Sequence, residues 1–398
     1  MNICPDKFTE VVEGLARICV PDPKLYTRNN GVYEPAWAPV FYNPNMVENR
    51  DIAVEIVEYL VKNVSGKEFV VVDPLAATGV RGLRIALEVS KAEQIKIIMG
   101  DISEISIKIM EINTRLNKLE NRISIEKSDA NELMYKLKRL GLRLNYIDID
   151  PFGSPVPFTC SAISTIKRGG VVAFTATDLA VLEGKHKDKM YRRYGVIGSL
   201  TPISKDLAIR VLLSYVARTA FSLDRYIEPL LSYIYKHYVR IYVRIGEGAN
   251  KALKQMNTCL KALRICIRCS YSYVENHGDQ SNSCPFCGFP TAKVAPIWIC
   301  KTVDKDVIKS LVENTMYKPW IQETSRRLFK LLNDYAEIDM LTIRLPMIAR
   351  ALRTNIPPKN KVIECLKNIG YKVAKSYTYT DGIVSLAPIY DVIKCFKY

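Results

Sequence analysis

The sequence predicts an α/β protein in which a doubly wound parallel sheet is followed by a smaller α+β region. Apolar runs alternate with helical patterns between Phe69 and Thr175, and this alternation is typical of parallel strands covered by helices on both faces. Beyond about residue 245 the pattern changes to a cysteine cluster and further helices. With 398 residues the chain is long enough for two or three domains.

The elements of the first domain follow from hydrophobic spacing. Residues 1–45 are rich in Pro, Asn and Tyr and are predicted to be irregular. Apolar residues at three- and four-residue steps predict a helix from Met46 to Val61. The later elements are, in chain order, strand Phe69–Val72, helix Leu83–Val89, strand Ile95–Met99, helix Ile102–Asn117, strand Ile123–Ile125, helix Asn131–Leu140, strand Leu144–Ile149, helix Pro155–Ile166, strand Gly170–Thr175, helix 203–219 and strand Val239–Ile245. Together they predict a first domain over residues 1–245.

Residues 246–398 are predicted to form a second region. A linker and helix over 246–263 lead to a cysteine-rich element at 264–290 and one helix at 305–333. Helices Ile338–Leu352 and Lys359–Ile369 then precede a hairpin, Tyr371–Thr378 and Ile383–Pro388, with Asp-Gly at its turn. Helix, helix and hairpin in this order predict a winged-helix-like end at 338–390.

Composition and charge narrow the class of partner. Lys and Arg number 57 against 41 Asp and Glu, so the net charge is +16, which favours binding to nucleic acid over an unselective basic surface. Apolar residues make up 48%, too many for a largely disordered chain. No apolar run approaches the ~18 residues of a membrane helix. The acidic N-terminal segment does not resemble a signal peptide, so a cytoplasmic protein without a membrane partner is expected.

Four of the eleven cysteines form a metal-binding pattern. Cys266, Cys269, Cys284 and Cys287 make two CxxC pairs, which typically hold a structural Zn2+ through four thiolates. The alternative is four idle thiols. The other seven cysteines are scattered singly, which favours a reducing compartment with one metal site and no disulfide framework.

Acidic residues follow three successive strands, where ligands bind in doubly wound sheets. Asp73 ends the first strand, Asp101 the second, and Asp129 with Ala130 follows the third. An acid in the place of Asp101 can bind ribose hydroxyls, and Asp129 can bind an adenine amino group. Arg81, at a predicted helix start, suits a carboxylate. S-adenosylmethionine combines these groups; the alternative is that the acids are solvated helix caps.

The fourth strand ends in Asp150-Pro151-Phe152-Gly153. The Asp150 carboxylate and Pro151 carbonyl can accept the protons of an exocyclic amino group, whose delocalised lone pair makes it a poor nucleophile. Phe152 can stack on the base. These residues therefore predict methyl transfer to an amino nitrogen; the alternative is a tight turn with a buried Phe.

Several longer strings carry a family resemblance. They are Val40-Phe41-Tyr42-Asn43-Pro44-Asn45-Met46, Asn49-Arg50-Asp51, Ala77-Thr78-Gly79-Val80-Arg81-Gly82, Ile149-Asp150-Pro151-Phe152-Gly153-Ser154-Pro155 and Thr175-Ala176-Thr177-Asp178. The chain resembles the tRNA guanine-N2 dimethyltransferases, which belong to the Rossmann-like methyltransferases. It departs from the wider amino-methyltransferase pattern (D/N/S)PP(Y/F) in having a single proline, Pro151, so Phe152 sits one place earlier.

The resemblance implies a function and a set of residues. It implies methylation of guanosine 26 of tRNA, once or twice, with S-adenosylmethionine as donor. It assigns cofactor contacts to Arg50, Arg81, Asp101, Asp129 and Ala130. It makes Asp150 the catalytic acceptor, and Phe41 is a candidate wall of the cofactor or base site.

Two alternatives and two further expectations complete the sequence reading. One alternative function has the same chemistry: an amino-methyltransferase that acts on DNA or another RNA. The other belongs to a different class: a non-catalytic zinc protein that binds nucleic acid.

The basic stretch Gly184–Gly195 contains five cations and two tyrosines, which suits contacts to RNA phosphates and unpaired bases. A monomer is favoured.

Overall fold

The computed structural model describes residues 3–63, 68–275 and 282–396. The chain divides into two compact units that are not continuous in sequence. The first contains residues 1–151, 157–174 and 310–327, and the second contains residues 152–156, 175–309 and 328–398. The predicted boundary at residue 245 therefore stays a prediction, and part of the 264–290 element, residues 276–281, lies outside the described residues.

The sequence predicted an irregular N-terminal segment, but the structure contains two strands there. Strands β1 (Phe8–Glu13) and β2 (Ala16–Pro21) form an antiparallel hairpin, with Glu13 opposite Ala16. Its turn contains Gly14 at φ +59°, a value that favours glycine. A Cβ there would lie 1.9 Å from Oε1 of Glu88, so the turn also needs glycine for close packing. The sequence shows no strong hairpin signal here, because Asn-Gly or Asp-Gly is absent from the turn.

The first unit contains a parallel sheet with helices between its strands. These elements, in chain order, are α1 (Val47–Asn63), β3 (Phe69–Asp73), α2 (Val80–Glu88), β4 (Ile95–Asp101), α3 (Glu104–Leu116), β5 (Ile123–Lys127), α4 (Ala130–Arg139), β6 (Leu144–Ile149), α5 (Val156–Thr165) and β7 (Val171–Ala176). Every residue of β3, β6 and β7 is buried, as expected for strands covered on both faces. The predicted alternation of strands and helices is confirmed.

The strand order places the acidic strand ends side by side. The parallel strands run in the order β5-β4-β3-β6-β7, so the chain moves outward from β3 to β5 and then returns to β6 on the other side of β3. Asp101 pairs in register with Lys127, and Asp73 with Met99. The order reverses between β3 and β6, and ligands bind at such a reversal in open α/β sheets.

One polar side chain joins the hairpin to this sheet. Asn113 of α3 accepts a hydrogen bond from the main-chain N–H of Cys19 (2.6 Å) and donates to the Cys19 carbonyl (3.2 Å). It also donates to the carbonyl of Thr78 (2.9 Å), in the loop after β3. The hairpin is thus bound to the loop that follows the first parallel strand.

The second unit begins along the chain at Phe152 and holds most of the remaining elements. They are, in chain order, α6 (Leu179–Leu182), α7 (Lys187–Tyr194), α8 (Ser204–Phe221), β8 (Arg225–Tyr235), β9 (Tyr238–Glu247), α9 (Ala249–Cys259), β10 (Leu260–Cys266), β11 (Ser272–Val274) and β12 (Thr291–Trp298). Helices α10 (Lys305–Thr315) and α11 (Glu323–Ala336) follow, and each has residues in both units. Strands β8 and β9 form an antiparallel hairpin; of the two, only β9 was predicted. The expected single helix at 305–333 is two, α10 and α11, and Pro319 stands between them, where it cannot continue a helix.

The C-terminal elements have the order expected of a winged helix. They are β13 (Ile343–Arg344), α12 (Leu345–Leu352), α13 (Lys359–Ile369), β14 (Val373–Lys375), β15 (Gly382–Ser385) and α14 (Ile389–Lys394). The three strands form a sheet in the order β13-β15-β14. The predicted helix from Ile338 starts only at Leu345, because Ile343 and Arg344 pair with β15 instead. Buried side chains of α12, α13 and β15 form one apolar core.

The prediction that the scattered cysteines stay unpaired is wrong. Six of the seven form disulfides, Cys4–Cys19, Cys259–Cys300 and Cys365–Cys395, and Cys160 is free and exposed. Sequence separations of 15, 41 and 30 residues carry no pairing signal, since the partners meet only through tertiary structure. Among the described residues, no helix is long and apolar enough to cross a membrane.

Candidate active site

The loop after β3 brings main-chain atoms close to the carboxyl edge of the sheet. Gly79 has φ +78°, and a Cβ there would lie 3.0 Å from Cε of Met99. Both the backbone angle and the packing therefore favour glycine at this position. Helix α2 begins directly after it, and Arg81 is the second residue of that helix. The predicted position of Arg81 at a helix start is confirmed.

Three carboxylates surround the guanidinium of Arg81. Its Nη1 lies 2.6 Å from Oδ1 of Asp148, its Nη2 pairs with Asp150, and its Nε lies 3.8 Å from Oδ2 of Asp73. A cation at a helix N-terminus is unfavourable, and the acids offset that cost. Burial raises the pKa of Asp73; the Arg81 guanidinium opposes this effect, and the Asp148 and Asp150 carboxylates add to it. The cluster therefore has more negative than positive groups.

A second arginine, Arg50 of α1, is held on the same side of the first unit. The Glu13 carboxylate accepts hydrogen bonds from Nε and Nη2 of Arg50, both at 2.6 Å. The carbonyl of Asn43 accepts a further bond from Nη2 at 3.1 Å, and the guanidinium lies 5.3 Å from the centre of the Tyr42 ring. Arg50 is only 5% exposed, so its orientation is fixed by these contacts.

Both arginines line one small cavity of about 50 Å³. Asp150 and Asp73 also line it, and so does Phe41. This volume is well below the roughly 300–1,000 Å³ of typical ligand pockets. Arg81 and Asp150 pair with each other within this lining.

The remaining predicted cofactor residues lie at neighbouring strand ends. Asp101 accepts hydrogen bonds from the main-chain N–H groups of Ala77 (3.0 Å) and Ser103 (2.8 Å). Asp129 is exposed and caps α4 by accepting from the N–H groups of Asn131 and Glu132, which is the role that the alternative reading gave it. Ala130 is buried. None of Asp101, Asp129 and Ala130 is among the residues that line the small cavity.

The predicted catalytic string divides between the two units after Pro151. Asp150 and Pro151 are half-buried, whereas Phe152 is 70% exposed, which excludes the alternative of a buried phenylalanine. Within the second unit, the N–H of Gly153 donates to Oγ1 of Thr177 (2.9 Å). The Ser154 hydroxyl lies 2.8 Å from the hydroxyl of Tyr194. These contacts hold the turn that follows the phenylalanine.

The four clustered cysteines have the spacing of a tetrahedral metal site. Their Sγ atoms all lie within 4.8 Å of one another, and those of Cys266 and Cys287 are 3.5 Å apart and those of Cys269 and Cys284 3.7 Å. Zn–S bonds of about 2.3 Å in a tetrahedron require sulfur–sulfur distances of about 3.8 Å. Main-chain N–H groups of Arg268 and Cys269 approach Sγ of Cys266 at 3.4 Å. The residues therefore fit a Zn2+ ion.

Comparison with known families decides the membership of this chain. Residues 14–397 match the family of N2,N2-dimethylguanosine tRNA methyltransferases. The chain belongs to this family. The tRNA (guanine(26)-N(2))-dimethyltransferase of Saccharolobus solfataricus is 36% identical over 397 residues, with 98% of this chain and 99% of that protein covered. The protein of the same name from Saccharolobus islandicus is 34% identical over 394 residues, with the same coverage.

This chain is a member of the N2,N2-dimethylguanosine tRNA methyltransferase family, and a solved structure with a similar fold supports its architecture. The complex of Trm1 from Pyrococcus horikoshii with S-adenosyl-L-methionine matches with a TM-score of 0.83 and 28% identity. The match covers 97% of this chain and 99% of that one. The α/β fold class and the family resemblance drawn from the sequence are confirmed.

In this family member, two residues of the candidate site were not predicted from the sequence. Asp148 is buried on β6 and pairs with Arg81. Apart from Asn145, Asp148 is the one residue of this strand that is neither apolar nor aromatic. An acid two residues before Asp150 was therefore a usable signal, because residues i and i+2 face the same side of a sheet. Glu13 gave no such signal, because its segment showed no recognisable strand pattern.

Proposed function

We propose that this chain transfers methyl groups from S-adenosylmethionine to the exocyclic N2 of guanosine 26 in tRNA, giving N2-methyl- and N2,N2-dimethylguanosine. The observation that carries the proposal is the pairing of Arg81 with Asp150 where the strand order reverses, in a cavity that Arg50 also lines. Family membership and the names of the curated relatives support the choice of substrate.

The chemistry of the donor set fits the cofactor. Arg50 and Arg81 would bind the methionine carboxylate, because hydrogen bonds between a guanidinium and a carboxylate are strengthened by the charges of both groups. Asp101 would accept from the ribose hydroxyls, since two main-chain donors leave part of its accepting capacity unused. Asp129 and Ala130 would contact the adenine. When bound, S-adenosylmethionine supplies an electrophilic methyl group attached to a sulfonium.

Asp150, Pro151 and Phe152 would act on the guanine. The Asp150 carboxylate and the Pro151 carbonyl would accept the N2 protons and thereby direct the lone pair toward the methyl group. Asp150 would hold the proton that N2 loses as the new N–C bond forms. The exposed Phe152 would stack on the base, which must leave its stack to reach the site. Positioning and charge placement supply the rate.

Binding of tRNA would depend on the basic surface of the second unit. Lys187, Lys189, Tyr191 and Arg192 are exposed on α7, where cations meet phosphates and an aromatic ring can stack. The four clustered cysteines would hold a structural Zn2+, because four thiolates complete its coordination and leave no open position. The chain would act as a cytoplasmic monomer; its three disulfides are unusual for that compartment outside hyperthermophiles.

Nucleoside mass spectrometry tests the proposal. The protein is incubated with S-adenosylmethionine and a tRNA transcript carrying G26, or a matched transcript carrying A26. We expect N2-methyl- and N2,N2-dimethylguanosine from the first transcript alone. Asp150→Asn should retain cofactor binding in calorimetry while turnover falls by roughly 100-fold or more, the cost typical of one lost polar contact to the transition state.

Three other outcomes would contradict the proposed function or the role of Asp150. Equal incorporation into the A26 transcript, or into DNA, would favour the alternative methyltransferase reading. Tight RNA binding without binding of S-adenosylmethionine would favour a non-catalytic protein. Equal losses of cofactor affinity and turnover in Asp150→Asn would remove the catalytic role of Asp150.

A further inference from the structure

The carboxylate of Glu13, at the end of β1, is an acceptor for several buried donors. Glu13 is 5% exposed. It accepts two bonds of 2.6 Å from Arg50, one of 2.9 Å from the hydroxyl of Tyr42 and one of 3.1 Å from Nη1 of Arg84. The end of the N-terminal hairpin is therefore bonded directly to a side chain that lines the small cavity.

These contacts leave the two hydrogens of Nη1 of the Arg50 guanidinium available. Glu13 receives Nε and one hydrogen of Nη2, and the Asn43 carbonyl receives Nη2 as well. Within the part of the chain that the structure describes, Nη1 of Arg50 makes no hydrogen bond. A planar guanidinium held along one edge has a fixed plane and presents its remaining donors in one direction. The residue that provides this edge contact is Glu13.

The negative charge of Glu13 is shared between two arginines, Arg50 and Arg84. Glu13 is shared with Arg84, which also pairs with Asp51 at 2.6 Å and with Glu88 at 2.8 Å. Burial raises the pKa of Glu13, but Arg50 and Arg84 more than offset this effect and lower the pKa to about 2. The carboxylate is therefore ionised at neutral pH and remains a strong acceptor for the Arg50 fork.

We infer that Glu13 is a positioning residue, which fixes the Arg50 guanidinium so that Nη1 meets the carboxylate at the amino-acid end of the cofactor. The inference rests on the proposed function in one respect, the identity of the cofactor. It makes the N-terminal hairpin part of the proposed cofactor site. The link is the ion pair of Glu13 with Nε and Nη2 of Arg50, which lies on the side of the guanidinium opposite to Nη1.

Calorimetry with two nucleosides tests the role of Glu13 without any tRNA. S-adenosylmethionine carries the carboxylate, whereas 5′-methylthioadenosine lacks the whole amino-acid end. In Glu13→Gln the amide can accept only one of the two Arg50 bonds. We expect the affinity for S-adenosylmethionine to fall roughly tenfold or more, as for a lost bond to a charged group, while the affinity for 5′-methylthioadenosine changes little.

Two further variants make the result specific. Glu88→Gln is the matched control, because Glu88 is also buried and also bonds Arg84 but does not bond Arg50. It should leave the ratio of the two affinities unchanged. Arg50→Gln should lower that ratio at least as much as Glu13→Gln. Because no tRNA is present, failure of tRNA methylation cannot be confused with failure of this role.

Each other outcome overturns the inference. Equal losses for both nucleosides in Glu13→Gln would mean that Glu13 only supports the fold. An unchanged ratio in Glu13→Gln beside a reduced one in Arg50→Gln would leave Arg50 as a ligand and remove Glu13. Unchanged ratios in both variants would remove both residues from carboxylate binding, and the methyl-transfer proposal would then rest on its other residues.

Discussion

At the scale of single residues, Arg81 and its acids form a site whose charges do not balance. One guanidinium faces Asp73, Asp148 and Asp150, and all but Asp150 are less than a tenth exposed. Buried carboxylates that share a single cation favour keeping a proton among them. The cluster that contains Asp150, the residue proposed to act on the guanine, is therefore expected to take up a proton more readily than a free carboxylate does.

Asp73→Asn should change how stability depends on pH. The pKa of Asp73 is raised from 3.8 to about 7 in the folded state, so between these values the folded protein keeps a proton that the unfolded chain releases. The free energy of unfolding should fall as pH rises through this window, by at most about 1.4 kcal/mol per pH unit from this group. The variant should lose that slope, as measured by urea unfolding at pH 5 and pH 8.

Asp188→Asn is a suitable control, because Asp188 is exposed on α7. It should keep the wild-type slope. If Asp73→Asn keeps that slope too, the proton resides elsewhere in the cluster or is not retained.

How much of the site the sequence predicts depends on the kind of signal each residue carries. Asp73, Asp101 and Asp150 stand at or just after the ends of apolar runs, where topology alone brings them to one edge. Asp129 serves as a helix cap, and sequence cannot separate that role from adenine binding because both place the acid at the same position. The fork between Glu13 and Arg50 spans 37 residues, so only folding brings the two together.

At the scale of elements, the parallel strands and the C-terminal hairpin of β14 and β15 were predictable, whereas the N-terminal hairpin and β13 were not. Strands β3, β4, β6 and β7 appear as apolar runs because they are largely buried. In β1 the exposed and half-buried residues alternate without a clear period, and β13 is only two residues long. Such strands depend on their partners more than on their own composition.

The cysteine cluster is an element that we expect to require its metal. Wild-type protein should contain about one zinc per chain by elemental analysis, and Cys284→Ser should lose most of it, since removal of one thiolate opens a four-ligand site. Its unfolding temperature should fall, because Tyr271 and Phe286 beside the cluster also pack against the C-terminal core. A chelator should produce the same shift in wild-type protein.

Cys160→Ser provides the matched control, since Cys160 is exposed and unpaired. It should retain zinc and unfold at the wild-type temperature. Full zinc content in Cys284→Ser would show that this thiolate is not a ligand.

At the scale of the whole molecule, charge governs how the protein meets its substrate. The chain carries 57 basic and 41 acidic residues. Among the described residues, ten acids but only five arginines and no lysine are buried, as in the clusters around Arg84 and Arg81. The exposed surface is therefore more basic than the composition suggests. Such a surface attracts polyanions largely without regard to their sequence.

Binding of tRNA should therefore depend steeply on salt. With about six phosphate contacts, affinity should fall on the order of 10³-fold between 50 and 200 mM salt, as measured by filter binding. Replacing Lys189 and Arg192 of α7 by alanine should lower the slope of log affinity against log salt by about 2, one unit for each lost phosphate contact.

Lys254 and Lys309 offer a control of equal charge, since both are exposed on other helices of the second unit. If their double alanine variant changes the slope as much as the α7 variant, the attraction is general and α7 has no particular part in it.

The amide of Asn113 has a consequence for how the chain is handled. It bonds both main-chain groups of Cys19 and the carbonyl of Thr78, so one side chain joins the N-terminal hairpin to the loop after β3. Trimming the amino terminus into this hairpin, or fusing a bulky tag that pulls on it, would therefore disturb the proposed cofactor site from a distance.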